Sequence, residues 1–170
     1  SDLLQSQPDT NSSLTGLELI RKKVKILVCM GGEFPEGKEF NLFKDISSSL
    51  TVLNQWPTDI LFSGGEIGSQ IISGKSISKF DIQNSPVKDA YEIITAGTSH
   101  FSGMSWDQTA VLVAVKGHFP YFSIEKGKCI LAEDGSNTWQ PDGKGSHSRL
   151  ILKMKSGDIS QIIDQYMKHL

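Results

Sequence analysis

Most of the side chains best suited to chemistry follow apolar runs that end in glycine. Glu39 and Asn41 lie just past Met30-Gly31-Gly32, Glu66 follows Gly64-Gly65, and Asp107 stands at the head of the apolar stretch that begins at Trp106. Carboxylates and an amide at such points could hold hydroxyl groups or a hard cation. Each also has an ordinary structural explanation. Asp107, two residues after Ser105, sits where helix capping and the helix dipole favour an acid. Asn41 reads equally as a helix N-cap, Glu39 as a solvated loop acid and Glu66 as an acid at a helix start. Met30 reads as the end of a buried strand.

Other chemistries are excluded more firmly. Gly32-Glu33-Phe34-Pro35-Glu36-Gly37-Lys38 matches the spacing of a phosphate-binding loop, but Glu39 stands where Ser or Thr must ligate magnesium. Glu33 and Glu36 would repel phosphate oxygens, and Pro35 removes an amide donor. His100, His118, His147 and His169 have no i, i+4 pairing and no cysteine neighbours, so they read as surface or loop residues, not zinc ligands. Cys29 and Cys129 lie in aliphatic runs without metal-ligand spacing and read as buried thiols. Asp134-Gly135-Ser136-Asn137 lacks the closing glutamate of a calcium loop and reads as a plain turn.

With 17 basic against 19 acidic residues, the chain has no field to attract a phosphate backbone, and nucleic acid is not an expected partner. No apolar run approaches the roughly 20 residues of a membrane span, and residues 1–13 lack the basic head and apolar core of a signal peptide. The expectation is a soluble chain, cytoplasmic by default, with export left open.

The positioning elements follow from periodicity. Residues 1–13 form a polar lead-in with at most a short helix. A short helix over Leu17–Lys22 precedes the run Val24–Met30, whose nearly continuous apolar character predicts a central strand buried on both faces. Phe43, Ile46, Leu50 and Leu53 predict one amphipathic helix over Asn41–Asn54. Asp59–Ser63 reads as a strand, Ile67–Ile72 as a helix, Pro86–Ile94 as a helix and Trp106–Val115 as another. Tyr121–Ala132 alternates about Gly127 and reads as a β-hairpin, followed by a strand over Arg149–Met154 and a helix over Asp158–Met167. Together these predict a single α/β domain with an open, mainly parallel sheet, helices on both faces and a late antiparallel hairpin. In such sheets ligands bind beyond the carboxyl ends of the strands.

Taken in order, Met30-Gly31-Gly32, Glu39-Phe40-Asn41, Phe62-Ser63-Gly64-Gly65-Glu66-Ile67-Gly68 and Ser105-Trp106-Asp107-Gln108-Thr109-Ala110-Val111 resemble the landmarks of the nucleoside hydrolase family, in its C-terminal half. The resemblance implies a nucleoside hydrolase-like fold and hydrolysis of a ribonucleoside's N-glycosidic bond. It implies Ca2+ as cofactor, with Asp107 as a metal ligand that also touches the ribose hydroxyls. It implies that Met30, Glu39 and Asn41 bind the sugar and that Phe40, between the last two, turns into the core.

Trp106 occupies the position where many members carry a histidine acid. Indole cannot donate that proton, so Trp106 would stack on a substrate ring. Glu33 stands where the family has an asparagine. The family's opening aspartate-rich motif, DxDxxxDD, is not found in these 170 residues. Calcium takes about six to eight oxygens, so its remaining ligands are expected on a preceding segment. Without them the resemblance implies a catalytically inactive binder of sugar or nucleoside. Protein partners it implies are a homo-oligomer or that preceding segment.

Overall fold

A computed structural model describes residues 1–95 and 103–168. His100 and His169 lie outside the described residues, as does most of the loop over residues 97–104. The chain begins with a single helical turn, α1 (Asp2–Gln5), and α2 (Gly16–Lys23). Thr15 caps α2 through the amide of Glu18, and Glu18 returns the bond to the Thr15 amide at 2.8 Å, which fixes where the helix starts. There follow β1 (Ile26–Met30), β2 (Glu36–Gly37), α3 (Phe40–Lys44), α4 (Ile46–Gln55), β3 (Asp59–Ser63) and α5 (Gly65–Gly68). The second half holds α6 (Pro86–Thr95), α7 (Trp106–Lys116), β4 (Phe122–Leu131), β5 (Asn137–Pro141), β6 (His147–Leu152) and α8 (Ser156–Met167).

The six strands form one open sheet in the order β1-β3-β6-β4-β5-β2. β1, β3 and β6 run parallel, whereas β6-β4, β4-β5 and β5-β2 are antiparallel, so the sheet is mixed. Alternation along β3 divides the core. Leu61 joins Ile67, Ile71, Leu112, Val113, Leu150, Ile159 and Ile163 under α5, α7 and α8. Ile60 and Phe62 join Phe34, Leu42, Leu53 and Trp139 under α3 and α4. Helices therefore cover both faces, as the apolar character of β3 requires.

Four expectations are corrected. β1 is an edge strand, because its apolar run reflects packing against helices on each face and not a strand on each side. The helix expected over residues 41–54 is two helices: Asp45 leaves helical geometry at φ −141° and its carboxylate caps α4 through the Ser48 amide at 3.0 Å. The helix expected over residues 67–72 is the single turn α5. Gly127 is not a turn. It lies within the ten-residue β4, paired with Pro141 on one side and His147 on the other, and the hairpin joins β4 to β5.

Two residues expected at the wrong depth also have clear causes. Phe40 is 59% exposed, with its ring edge-on to Phe43 and beneath Lys44, because α3 lasts too few residues to turn it inward. His147 is a core residue. Its ring lies edge-on to Phe62, its Nδ1 accepts the Cys129 amide at 3.1 Å, and burial holds its pKa below the usual value. Cys129 is buried and Cys29 half-buried, and desolvation raises the thiols to about 12 and about 11.

Gly127 is required by Trp139. A Cβ there would stand 2.5 Å from the Gln140 carbonyl oxygen and 2.7 Å from the indole. Gly127→Ala is expected to lower stability in urea unfolding by about 1–3 kcal/mol, the cost of forcing atoms into a packed site. Wild-type stability in that variant would contradict the packing described.

Candidate functional site at the carboxyl ends of β1 and β3

The segment between β1 and α3 must cross the carboxyl ends of the parallel strands with its amides satisfied. Gly31 donates to the Ser63 carbonyl at 3.3 Å, and Gly65 donates to the Gly32 carbonyl at 2.8 Å, which ties the two glycine turns together. Gly32 has φ +80°, a conformation that other residues adopt at a cost, and Phe34 fills the space its side chain would take. Asn137 then grips Glu33 from both sides, accepting its amide at 3.0 Å and donating to its carbonyl at 2.8 Å. The Phe34 amide donates to Glu66 Oε2 at 3.0 Å, and the Trp139 amide donates to the Pro35 carbonyl at 2.7 Å.

Three of the sugar-site candidates meet on this edge. Glu39 caps α3: its carboxylate accepts the amides of Asn41 at 2.8 Å, Leu42 at 3.2 Å and Gly32 at 3.1 Å. Its role is thus to set the loop. Asn41, exposed, points its Nδ2 at the Met30 sulfur at 3.0 Å and the Met30 carbonyl at 3.4 Å. Both residues line a pocket of 250 Å³ with Leu27, Cys29, Asp45 and Ser48.

Trp106 reaches the same edge from α7, where its indole N–H donates to the Gly65 carbonyl at 3.1 Å and the residue packs against Gly68. The start of α7 is fixed by Ser105, whose amide donates to the Gly68 and Ile71 carbonyls and whose buried hydroxyl pairs with that of Ser73 at 2.5 Å. Asp107, next after Trp106, is exposed and lines a different space. That space is a 650 Å³ groove of mainly apolar character between α7 and α8, shared with Val111, Val115, Ile163 and Tyr166.

Glu33 and Glu66 complete the edge. Burial raises the Glu33 pKa, and the Glu39 carboxylate raises it further. Burial likewise raises Glu66, with Glu33 adding to the rise, while the Phe34 amide and Arg149 oppose it. Arg149 lies over the rings of Phe34 and Trp139 at 5.9 and 5.6 Å and bonds Glu125 Oε2 through Nε at 2.7 Å. Arg149 and Asn137 gave no signal in the sequence, because their partners are distant in the chain: Asn137 and Glu33 stand 104 residues apart. The turn expected at residues 134–137 is present over Asp134–Ser136, but Asn137 itself opens β5 and is buried.

The described residues do not by themselves fit calcium. No group of three His, Cys, Asp or Glu side chains among them is placed to hold a metal. Asp107 offers two oxygens of the six to eight such an ion takes, and the Glu39 oxygens already accept three amides. No helix among the described residues is long and apolar enough to cross a membrane. No family model, curated protein or solved structure matches the chain.

The raised pKa of Glu66 has a consequence for stability. A carboxyl whose folded pKa exceeds its unfolded value binds more protons when folded, so it contributes less stability as pH rises through the glutamate range. Glu66→Gln keeps an acceptor for the Phe34 amide and removes the charge. The variant is expected to be more stable than wild type at neutral pH, with the difference vanishing below the ordinary glutamate pKa. Thermal melts across pH check this, and a Glu66→Gln protein less stable at neutral pH would refute it.

Proposed function

We propose that this chain supplies the sugar-facing half of a nucleoside hydrolase-like site, acting on the N-glycosidic bond of a ribonucleoside. The observation that carries the reading is the meeting of Met30, Glu39 and Asn41 with Glu33, Glu66 and Trp106 at the carboxyl ends of parallel strands. Open α/β sheets bind ligands at that edge. The sequence landmarks add the resemblance, and they are independent of the geometry.

In this reading Glu39 fixes the loop and the Asn41 amide offers hydrogen bonds to ring hydroxyls. Met30 gives the sugar an apolar floor. Trp106 holds α5 to α7 and cannot donate a proton to the base. Glu66 is the better acid, since burial keeps its proton to higher pH than an ordinary glutamate. As the base departs, positive charge grows at the anomeric carbon, and the carboxylates of this edge stabilise it. Calcium, if the complete protein uses it, would need oxygens beyond Asp107, and no step here is routed through it.

A second reading, a sugar or nucleoside binder without turnover, is favoured by one observation. All three strongly placed polar groups, Glu39, Trp106 and the Glu66 oxygen on Phe34, are already engaged in holding the fold. Turnover separates the two. Residues 1–170 alone are expected to bind ribonucleosides yet show negligible hydrolysis, and a longer form carrying the remaining acids is expected to hydrolyse them. In that form Glu66→Gln should lower kcat by a factor of about 10² to 10⁴, the range for losing a general acid. Full activity in Glu66→Gln would remove Glu66 from the mechanism, and no turnover in any form would leave the binder.

A further inference from the structure

α7 carries apolar side chains on every side. Leu112 and Val113 are buried in the core, while Val111 and Val115 on the outer face are 61% and 71% exposed, with Ala114 exposed beside them. A helix that is apolar all round is ordinarily covered all round. Among the described residues, this outer face instead forms one wall of the 650 Å³ groove, and Ile163 and Tyr166 of α8 stand on the other side.

The two ends of that wall are charged, with opposite sign. Asp107 lines the groove in the first turn of α7, and Lys116 lines it in the last, where its ammonium lies 5.0 Å from the centre of the Tyr166 ring. Neither makes an ion pair among the described residues. Reversing the helix end for end maps its groove-lining residues onto one another: Asp107 onto Lys116, Gln108 onto Val115 and Val111 onto Leu112. The face is therefore complementary in charge to a second copy of itself.

We propose that α7 packs antiparallel against α7 of a second copy of this chain, forming a two-fold dimer. Val111 and Leu112 of the two copies meet at the axis, and the exposed Val115 of each enters the groove of the other. Asp107 of each copy meets Lys116 of the other, so both ends of the contact are neutralised. A parallel pairing would set Asp107 against Asp107 and Lys116 against Lys116, and it would align the two helix dipoles unfavourably. The two-fold closes the assembly, so no further copies are recruited through this face. Asp107, which stands apart from the candidate edge, gains a role here. The dimer is independent of the proposed hydrolase reading, since it needs neither substrate nor turnover.

Sedimentation equilibrium of the 170-residue chain tests it, beside Asp107→Lys, Lys116→Glu, an equimolar mixture of those two variants, and Val111→Lys. Wild type is expected to dimerise. Each charge variant alone sets like charges together at both ends of the paired helices, so each should dimerise about tenfold or more weakly than wild type. In the mixture, the new lysine of one variant faces the new glutamate of the other, and the native Lys116 faces the native Asp107. A heterodimer should then form with about the wild-type affinity. Added salt should relieve the two charge variants but not Val111→Lys, which sets a charge into the apolar centre of the contact. The three substituted side chains are exposed, thermal melting checks that each variant folds, and recovery of the dimer in the mixture shows the same for the charge variants. A wild-type monomer at every concentration would give the groove to a different occupant and overturn the proposal. A dimer that survives in all three variants, or a mixture no more associated than its components, would also overturn it.

Discussion

The position of one ring governs how the rest of this fold is arranged. Phe34 stands edge-on to Phe62 of β3 at 5.5 Å and to Trp139 of β5 at 5.4 Å, although β6 and β4 lie between those strands in the sheet. The segment carrying Phe34 therefore spans the carboxyl ends of the parallel strands and binds the antiparallel end of the sheet to them. Edge-to-face aromatic pairs contribute about 0.5–1.5 kcal/mol each beyond their buried area. The larger effect is geometric: with Phe34 seated, its amide meets Glu66, Pro35 meets the Trp139 amide and Glu33 meets Asn137. The candidate site is the outer surface of that crossing.

This explains the charge pattern of the site. Three carboxylates gather on one edge because two accept backbone amides and the third is brought there by its residue's own main-chain bonds. Glu39 closes α3 onto Gly32, and Glu66 receives the Phe34 amide. Glu33 is fixed through its backbone, leaving its side chain against Gly65 and in the field of Glu39. Arg149, held between aromatic rings and Glu125, supplies opposing charge. Burial raises the pKa of Glu33 and of Glu66, and the neighbouring carboxylates add to the rise.

Much of the fold was legible in the sequence where signals are local. Asp59–Ser63 was placed residue for residue, and α6, α7 and α8 within two residues at each end, because apolar periodicity and helix-breaking residues act over a few neighbours. Legibility failed where neighbours are distant. Apolar character could not tell an edge strand packed on two faces from a central one, so β1 was misplaced. Gly127 looked like a turn because its true reason, the indole of Trp139, comes from another strand. In the site, Met30, Glu39 and Asn41 were visible as a cluster, and Asn41 does reach Met30. Arg149 and Asn137 were invisible, since nothing near them in sequence demands an arginine or a buried amide.

The proposed function requires that the edge formed by Met30, Asn41, Glu33 and Glu66 recognise ribose. Two-dimensional amide NMR of the 15N-labelled chain, titrated with ribose and with a ribonucleoside, addresses it directly. Saturable shifts are expected, confined to residues 30–41 and 64–68 and to the start of α7, together with the side-chain amide of Asn41. Shifts confined to the groove between α7 and α8, or none with either ligand, would contradict it.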